Sequence, residues 1–243
     1  MKTHASPVIV ALGLCLAALS AGAQVEPIDR SKAPVADSAT VLLLHFDEGS
    51  GEIVKDSSRQ ANHGRIVGKA EWVSGIFGKA LRFNGQDKAV DCEGERSRPP
   101  DFDFGDAKDF TVEFWVNTTT KARYAHLVNK KCNPSATEPG WMVFLHQGMV
   151  KAVIADGQSA VNLANPASVA DGQWHHVALV AERKGDAVIY VDGASGEPMP
   201  MKGILDITNT RRTLRVGDRA HDDALEGSID EVRISTVARK FKN

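Results

Sequence analysis

From Thr40 onward the chain alternates short apolar runs with clusters of Gly, Asp, Asn and Pro. This punctuation predicts strands at Val41–Phe46, Gly64–Val67, Ala80–Phe83, Ala89–Cys92, Phe110–Val116, His126–Asn129, Trp141–His146, Val150–Ala155, His175–Ala181, Ala187–Val191, Thr213–Val216 and Ser228–Ile234. The intervening chemistry agrees: Asn84-Gly85, Asp156-Gly157 and Asp192-Gly193 supply tight turns. No stretch repeats its apolar positions with a 3.6-residue period, so helix is not expected. A single open sheet with so many strands would curl or split, which predicts an all-β fold of two packed antiparallel sheets. In Phe110–Val116 the residues Phe110, Val112, Phe114 and Val116 share one face and fit a sandwich core, whereas Thr111, Glu113 and Trp115 share the other.

The first 23 residues read differently. Lys2 precedes an unbroken apolar and small run, Val8–Leu19, followed by Ala21-Gly22-Ala23, the pattern of a secretory signal cleaved after Ala23. The run is too short to span a membrane, and Leu14 before Cys15 argues against a lipoprotein signal. Residues 24–39 contain Pro27 and Pro34 without periodicity and read as an exposed linker, leaving 40–243 as one domain. The expected location is therefore secreted, periplasmic or in the cell envelope, with no membrane span in the mature chain.

Composition narrows the partners. Of 243 residues, 42% are hydrophobic and 25% charged, a balance suited to a globular core. Lys plus Arg total 29 against 31 Asp plus Glu, so no basic excess attracts nucleic acid. Beyond Cys15 the only cysteines are Cys92 and Cys132, and an oxidising compartment predicts a disulfide between them, tying down the Glu93–Asp109 loop.

Catalytic patterns are scarce. There is no Gly-x-Ser-x-Gly elbow, His-Glu-x-x-His, Cys-x-x-Cys or phosphate-binding glycine loop. Glu113 is the lone carboxylate on its strand, and Asp101, Asp103 and Asp106 read as a solvated acidic loop. Adjacent His175 and His176 point to opposite faces of a strand and cannot both ligate one ion. His221-Asp222-Asp223 is a polar loop cluster read as solvated.

Six segments in order resemble the laminin-G-like jelly-roll family of the concanavalin A-like lectin/glucanase superfamily: Leu44–Gly51 with Val54–Ser58 and Asn62–Gly64, Gly78–Gly85, Asp109–Val116, Asp171–Ala178, Ile189–Gly193 and Gly227–Ile234. The resemblance implies a concanavalin A-like jelly roll. It also implies a structural Ca²⁺ between the first and last strands, at Asp47 and Asp230, with the Asn84-Gly85 turn adding oxygen. It implies His175-His176 as a structural signature and Trp174 as core. The family hosts lectins, hydrolases, lyases and adhesion modules alike. The superfamily's glucanases carry a Glu-x-Asp-x-x-Glu type run, which this chain lacks. The expected function is thus non-catalytic binding of an extracellular glycan or glycoprotein; a carbohydrate-active enzyme and a structural envelope or adhesion protein are the alternatives. Candidate ligand contacts are Trp115 with Glu113, Trp141 and Tyr124, and Trp72 is a further aromatic not assigned to the core.

Overall fold

The computed structural model describes residues 25–68, 71–86, 89–92, 102–218 and 224–242. The signal pattern, Asp101 and His221-Asp222-Asp223 lie outside them. The described strands are β1 (Val25–Pro27), β2 (Thr40–Leu44), β3 (Ile53–Val54), β4 (Gly64–Val67), β5 (Glu71–Ser74), β6 (Lys79–Asn84), β7 (Ala89–Cys92), β8 (Phe110–Asn117), β9 (Ala125–Asn129), β10 (Gly140–His146), β11 (Met149–Ala155), β12 (Ala160–Ser168), β13 (Trp174–Ala181), β14 (Asp186–Val191), β15 (Ala194–Ser195), β16 (Met199–Pro200), β17 (Leu214–Val216), β18 (Glu226–Ser235) and β19 (Lys240–Lys242). No helix occurs among the described residues.

Two antiparallel sheets pack face to face. One runs β12-β11-β10-β9-β17-β7-β4-β3; the other runs β15-β14-β13-β8-β18-β6-β5, with β16 on β14 and β2 on β18. Non-consecutive neighbours such as β9-β17-β7 and β13-β8-β18 give the crossed connections of a jelly roll. One continuous core lies between the sheets, and Phe110, Val112, Phe114 and Val116 all point into it, as their alternation predicts. Their neighbours Thr111, Glu113 and Trp115 face outward.

β18 changes partner along its length. Glu226–Ile229 pairs with β6, and Val232–Ser235 pairs with β2. Its register to β8 shifts between Asp230 and Arg233, and Glu231 takes a positive φ of 52°. This bulge aims the Asp230 carboxylate toward the β5–β6 turn and the Glu231 carboxylate toward His45.

Three sequence expectations are revised. Residues 25–39 are no free linker: β1 pairs in parallel with β19, Glu26 opposite Phe241, and Ile28 N–H donates to the Lys242 carbonyl at 3.1 Å. The apolar signal was weak because ionic contacts, described below, do much of the anchoring. β12 was not expected, since Asn162, Asn165 and Pro166 break an apolar reading; it is an edge strand, where proline is tolerated. Its Asn165 is buried and donates to the Ala194 carbonyl at 2.9 Å, stitching the two sheets.

The disulfide is also absent: Cys92 and Cys132 are not joined. Cys92 is fully buried in β7, facing the core beside Gly64. β17 stands between β7 and β9, the strand that leads to Cys132. Two strand spacings are about 9.6 Å, beyond the roughly 7 Å that a disulfide spans between Cα atoms. Burial pushes the Cys92 thiol far up from its ordinary pKa.

Candidate functional site

The outward face of β8 is covered. Glu113 is 5% exposed and Trp115 4%, because residues 26–35 lie over them. Glu113 accepts from Arg233 Nε at 2.7 Å and meets His176 Nε2 at 3.1 Å. Burial raises its pKa, but the Arg233 charge and the His176 hydrogen bond more than offset this, and the carboxyl sits at about 2. Trp115 packs edge-on against Phe77 and His176, and the Arg30 guanidinium lies 4.8 Å over its ring. The covering segment is held by charge: Glu26 meets Arg233 and Arg239, Arg30 meets Asp192 at 2.9 Å, and Asp37 meets Arg239 at 2.6 Å. A cavity of about 290 Å³ remains beneath it. Glu113 and Trp115 are therefore committed to internal partners.

Asp47 and Asp230 converge on the β5–β6 turn. Lys79 N–H donates to Asp47 Oδ1 at 2.7 Å, and Ile76 N–H donates to Asp230 Oδ2 at 2.9 Å. A side chain at Gly78, which has a φ of 55°, would collide with the Asp47 carboxylate, so the turn depends on glycine there. Glu231 joins the cluster through His45 at 2.6 Å, while its Oε1 is buried with no hydrogen-bond partner. Burial and the neighbouring Glu231 push the Asp230 carboxyl up to about 8. Asn84 is not part of this cluster: it lies five residues along β6 from Lys79, about 17 Å. No group of three His, Cys, Asp or Glu among the described residues is placed to hold a metal ion, so an ion between Asp47 and Asp230 would need backbone carbonyls and water.

The open site lies on the outer face of the eight-stranded sheet. In β10, Trp141, Val143 and Leu145 fill the core, so Met142, Phe144 and His146 must face outward. Pairing sets Phe144 opposite Lys151 and Val153 opposite Asn162. Tyr124, just before β9, lies 5.9 Å from Phe144 and 5.3 Å from His146, and Arg123 lies 5.5 Å over the tyrosine ring. His146 Nδ1 is buried without a hydrogen-bond partner. Tyr124, Pro134, Phe144, His146, Lys151 and Asn162 line an open groove of about 220 Å³, in which Phe144 is only 4% exposed and the half-buried Tyr124 ring is the more accessible one. An aromatic platform beside amide, imidazole and ammonium groups can stack an apolar ring face and hydrogen-bond its hydroxyls.

Of the four candidate ligand contacts, only Tyr124 reaches this groove. Trp141 is fully buried: its Nε1–H donates to the Phe102 carbonyl at 3.0 Å and its ring packs against Phe104 and Phe110. Trp72 packs against the core from β5. Phe144, His146, Lys151 and Asn162 were not singled out by sequence. β10 and β11 are apolar on both faces, so alternation alone does not say which residues face out. The His pair divides as strand geometry requires. His175 bonds Asp192 and Asp171 at 2.6 and 3.0 Å, and His176 turns to Glu113.

Comparison with known proteins follows the same fold. A family model, Laminin_G_3 of the concanavalin A-like lectin/glucanases superfamily, matches residues 93–241. No curated protein matches the chain. Among solved structures, the binding domain of Paraclostridial Mosquitocidal Protein 1 is similar with TM-score 0.65 and 18% identity, over 82% of this chain and 49% of that one. Domain 4 of a GH43 extracellular arabinanase from Geobacillus stearothermophilus, in complex with arabinotriose, is similar with TM-score 0.62 and 19% identity, over 83% of this chain and 94% of that one. Botulinum neurotoxin type C, which enters cells dependent upon interaction with two ganglioside molecules, is similar with TM-score 0.58 and 12% identity, over 82% and 48%. This chain spans about half the length of the two toxin chains.

Proposed function

The chain belongs to the concanavalin A-like lectin/glucanases superfamily, and from that footing we propose that it is a non-catalytic module that binds an extracellular glycan or glycoprotein. The observation that carries this is the open groove in which Tyr124, Phe144 and His146 stand beside Lys151 and Asn162. The arabinotriose complex of the arabinanase domain and the ganglioside dependence of the neurotoxin support a sugar ligand for this architecture. No helix among the described residues is long and apolar enough to cross a membrane. The signal pattern at residues 1–23 supports an address outside the cytoplasm.

A glycan array followed by titration tests the reading. Tyr124→Ala removes the stacking platform and is expected to weaken binding by about tenfold or more, the scale of a lost aromatic stack, with the melting temperature little changed. Wild-type protein that binds no glycan, or a Tyr124→Ala variant that binds as tightly, would overturn it. Because Glu113 is held ionised by Arg233 and His176, the pure protein is expected to release no reducing sugar from polysaccharides.

We propose further that Ca²⁺ binds between Asp47 and Asp230, with backbone carbonyls and water completing its shell. The unpartnered Glu231 oxygen and the raised Asp230 pKa support this, since both register acids brought together without enough countercharge.

A further inference from the structure

The outer face that carries the Tyr124 groove continues across β9, β17 and β7 into a second hollow of about 210 Å³, where the chemistry changes. Arg215 of β17 stands opposite Asn129 on one side and Asp91 on the other. Arg211, Arg212 and Thr213 reach the hollow from the loop before β17, and Lys131 reaches it from the loop after β9. Among the described residues, four cationic side chains line it beside the Asp91 carboxylate, whose Oδ1 is buried without a hydrogen-bond partner.

Internal pairing does not exhaust these charges. Arg212 is matched by Glu138 at 2.7 Å, but Arg215 reaches Asp218 only at 3.5 Å. The Arg215 Nε is buried with no hydrogen-bond partner, and among the described residues Arg211 has no ion pair. Lys131 is 2% exposed and its ammonium donates to the Ser135 carbonyl at 2.7 Å. Burial draws its pKa down to about 8. Arg211 without an ion pair and the Arg215 guanidinium with an unused donor leave this wall able to take an oxyanion.

We propose that this hollow is a subsite for an anionic substituent, a carboxylate or a sulfate ester, on the polysaccharide that occupies the Tyr124 groove. This rests on the glycan reading of that groove. Guanidinium forks match either oxyanion in a bidentate way. β10, which carries Phe144, and β17, which carries Arg215, are two strand spacings apart, about 10 Å. Their partners on β9, His126 and Asn129, stand three residues apart, about 10 Å along the strand, so a saccharide chain running obliquely over about 14 Å can touch both. The loop after β9 borders both hollows, with Pro134 in one wall and Lys131 in the other.

The test is calorimetric titration of the purified protein with two matched pairs: homogalacturonan oligosaccharides with free or methyl-esterified carboxyls, and a sulfated galactan with its desulfated form. The expected result is at least tenfold tighter binding of the charged member in one pair, which also identifies the oxyanion. That preference should weaken as salt is raised. It should fall by about tenfold in Arg211→Ala, the worth of one charge-assisted hydrogen bond. Arg211 is exposed, so the variant should fold. Equal affinity for charged and uncharged members, or a preference unchanged in Arg211→Ala, overturns the subsite. If such uncharged binding is lost in Tyr124→Ala, the glycan reading stands without it. Failure to bind any member of either pair overturns the subsite as well.

Discussion

Glu113 holds two buried partners, Arg233 and His176, in place, so its removal is costly. Glu113→Gln leaves Arg233 with Glu26 as its carboxylate partner and offers one amide oxygen where Arg233 and His176 each had a carboxylate oxygen. Breaking a buried pair typically costs about 3 kcal/mol, and the loss should appear as a lower urea midpoint with an unchanged slope; a midpoint within error of wild type would refute the account. The pH dependence follows from the sign of the shift. The folded Glu113 pKa, about 2, lies below its ordinary value of 4.5. Its contribution is therefore full above pH 4.5 and fades as pH falls toward 2, where variant and wild type should converge. His175 behaves in the opposite sense. Burial lowers its pKa, but hydrogen bonds to Asp192 and Asp171 prevail and raise it above 6.5. Its contribution is full below pH 6.5 and is lost as pH rises through the folded value. His175→Asn should destabilise the protein at pH 6 more than at pH 9; equal effects at both would show that the imidazole charge is irrelevant.

Among the elements, β1 is the weakest. It is a three-residue strand paired in parallel to another three-residue strand, β19, outside both large sheets. Pairs this short are marginal alone, so the surrounding ion pairs of Glu26, Arg30 and Asp37 anchor the segment. Amide hydrogen exchange should show β1 and β19 opening well before β8 and β13, which lie deep in the nine-stranded sheet. Glu26→Gln should speed exchange in β1 and leave β10 and β11 unaffected. Protection of β1 equal to that of β8 would mean that the segment is an integral part of the sandwich.

At the scale of the whole molecule, two ties between distant parts of the chain can be separated. With no bridge between Cys92 and Cys132, a reductant should leave the melting temperature unchanged, and both thiols should react with a thiol reagent once the protein is unfolded without reductant. Retention of an oxidised pair under those conditions would contradict the free cysteines. The proposed ion joins the β2 end to β18 through Asp47 and Asp230. Chelation should lower the melting temperature and calcium restore it, by about 2.7 kcal/mol at a hundredfold excess over Kd. Asp230→Asn should abolish that response. A melting curve indifferent both to EDTA and to added calcium would remove the ion from the account.

Alternation was legible without any structure. Phe110, Val112, Phe114 and Val116 declare a core face because a strand has a period of two, and the Gly, Asp and Asn turns declare where each strand ends. The sandwich followed from that local order, and the family from the six segments that resemble it. The groove did not, because β10 and β11 are apolar on both faces. Only the pairing of β10 with β9 and β11 turns Trp141 inward and sets Phe144, His146 and Lys151 outward beside Tyr124. The same is true of Glu113 and Trp115. Their alternation placed them outside the core correctly, but residues 26–35 then cover them. The cationic hollow joins Lys131, Asp91 and Arg215, which are far apart in sequence and meet only because β17 lies between β9 and β7. The sequence alone determined the sandwich and the faces of its strongly alternating strands, because each residue's face depends on its near neighbours. Tertiary structure decided which outward residues stay open to a ligand and which charges stand together, because both depend on segments distant in the chain.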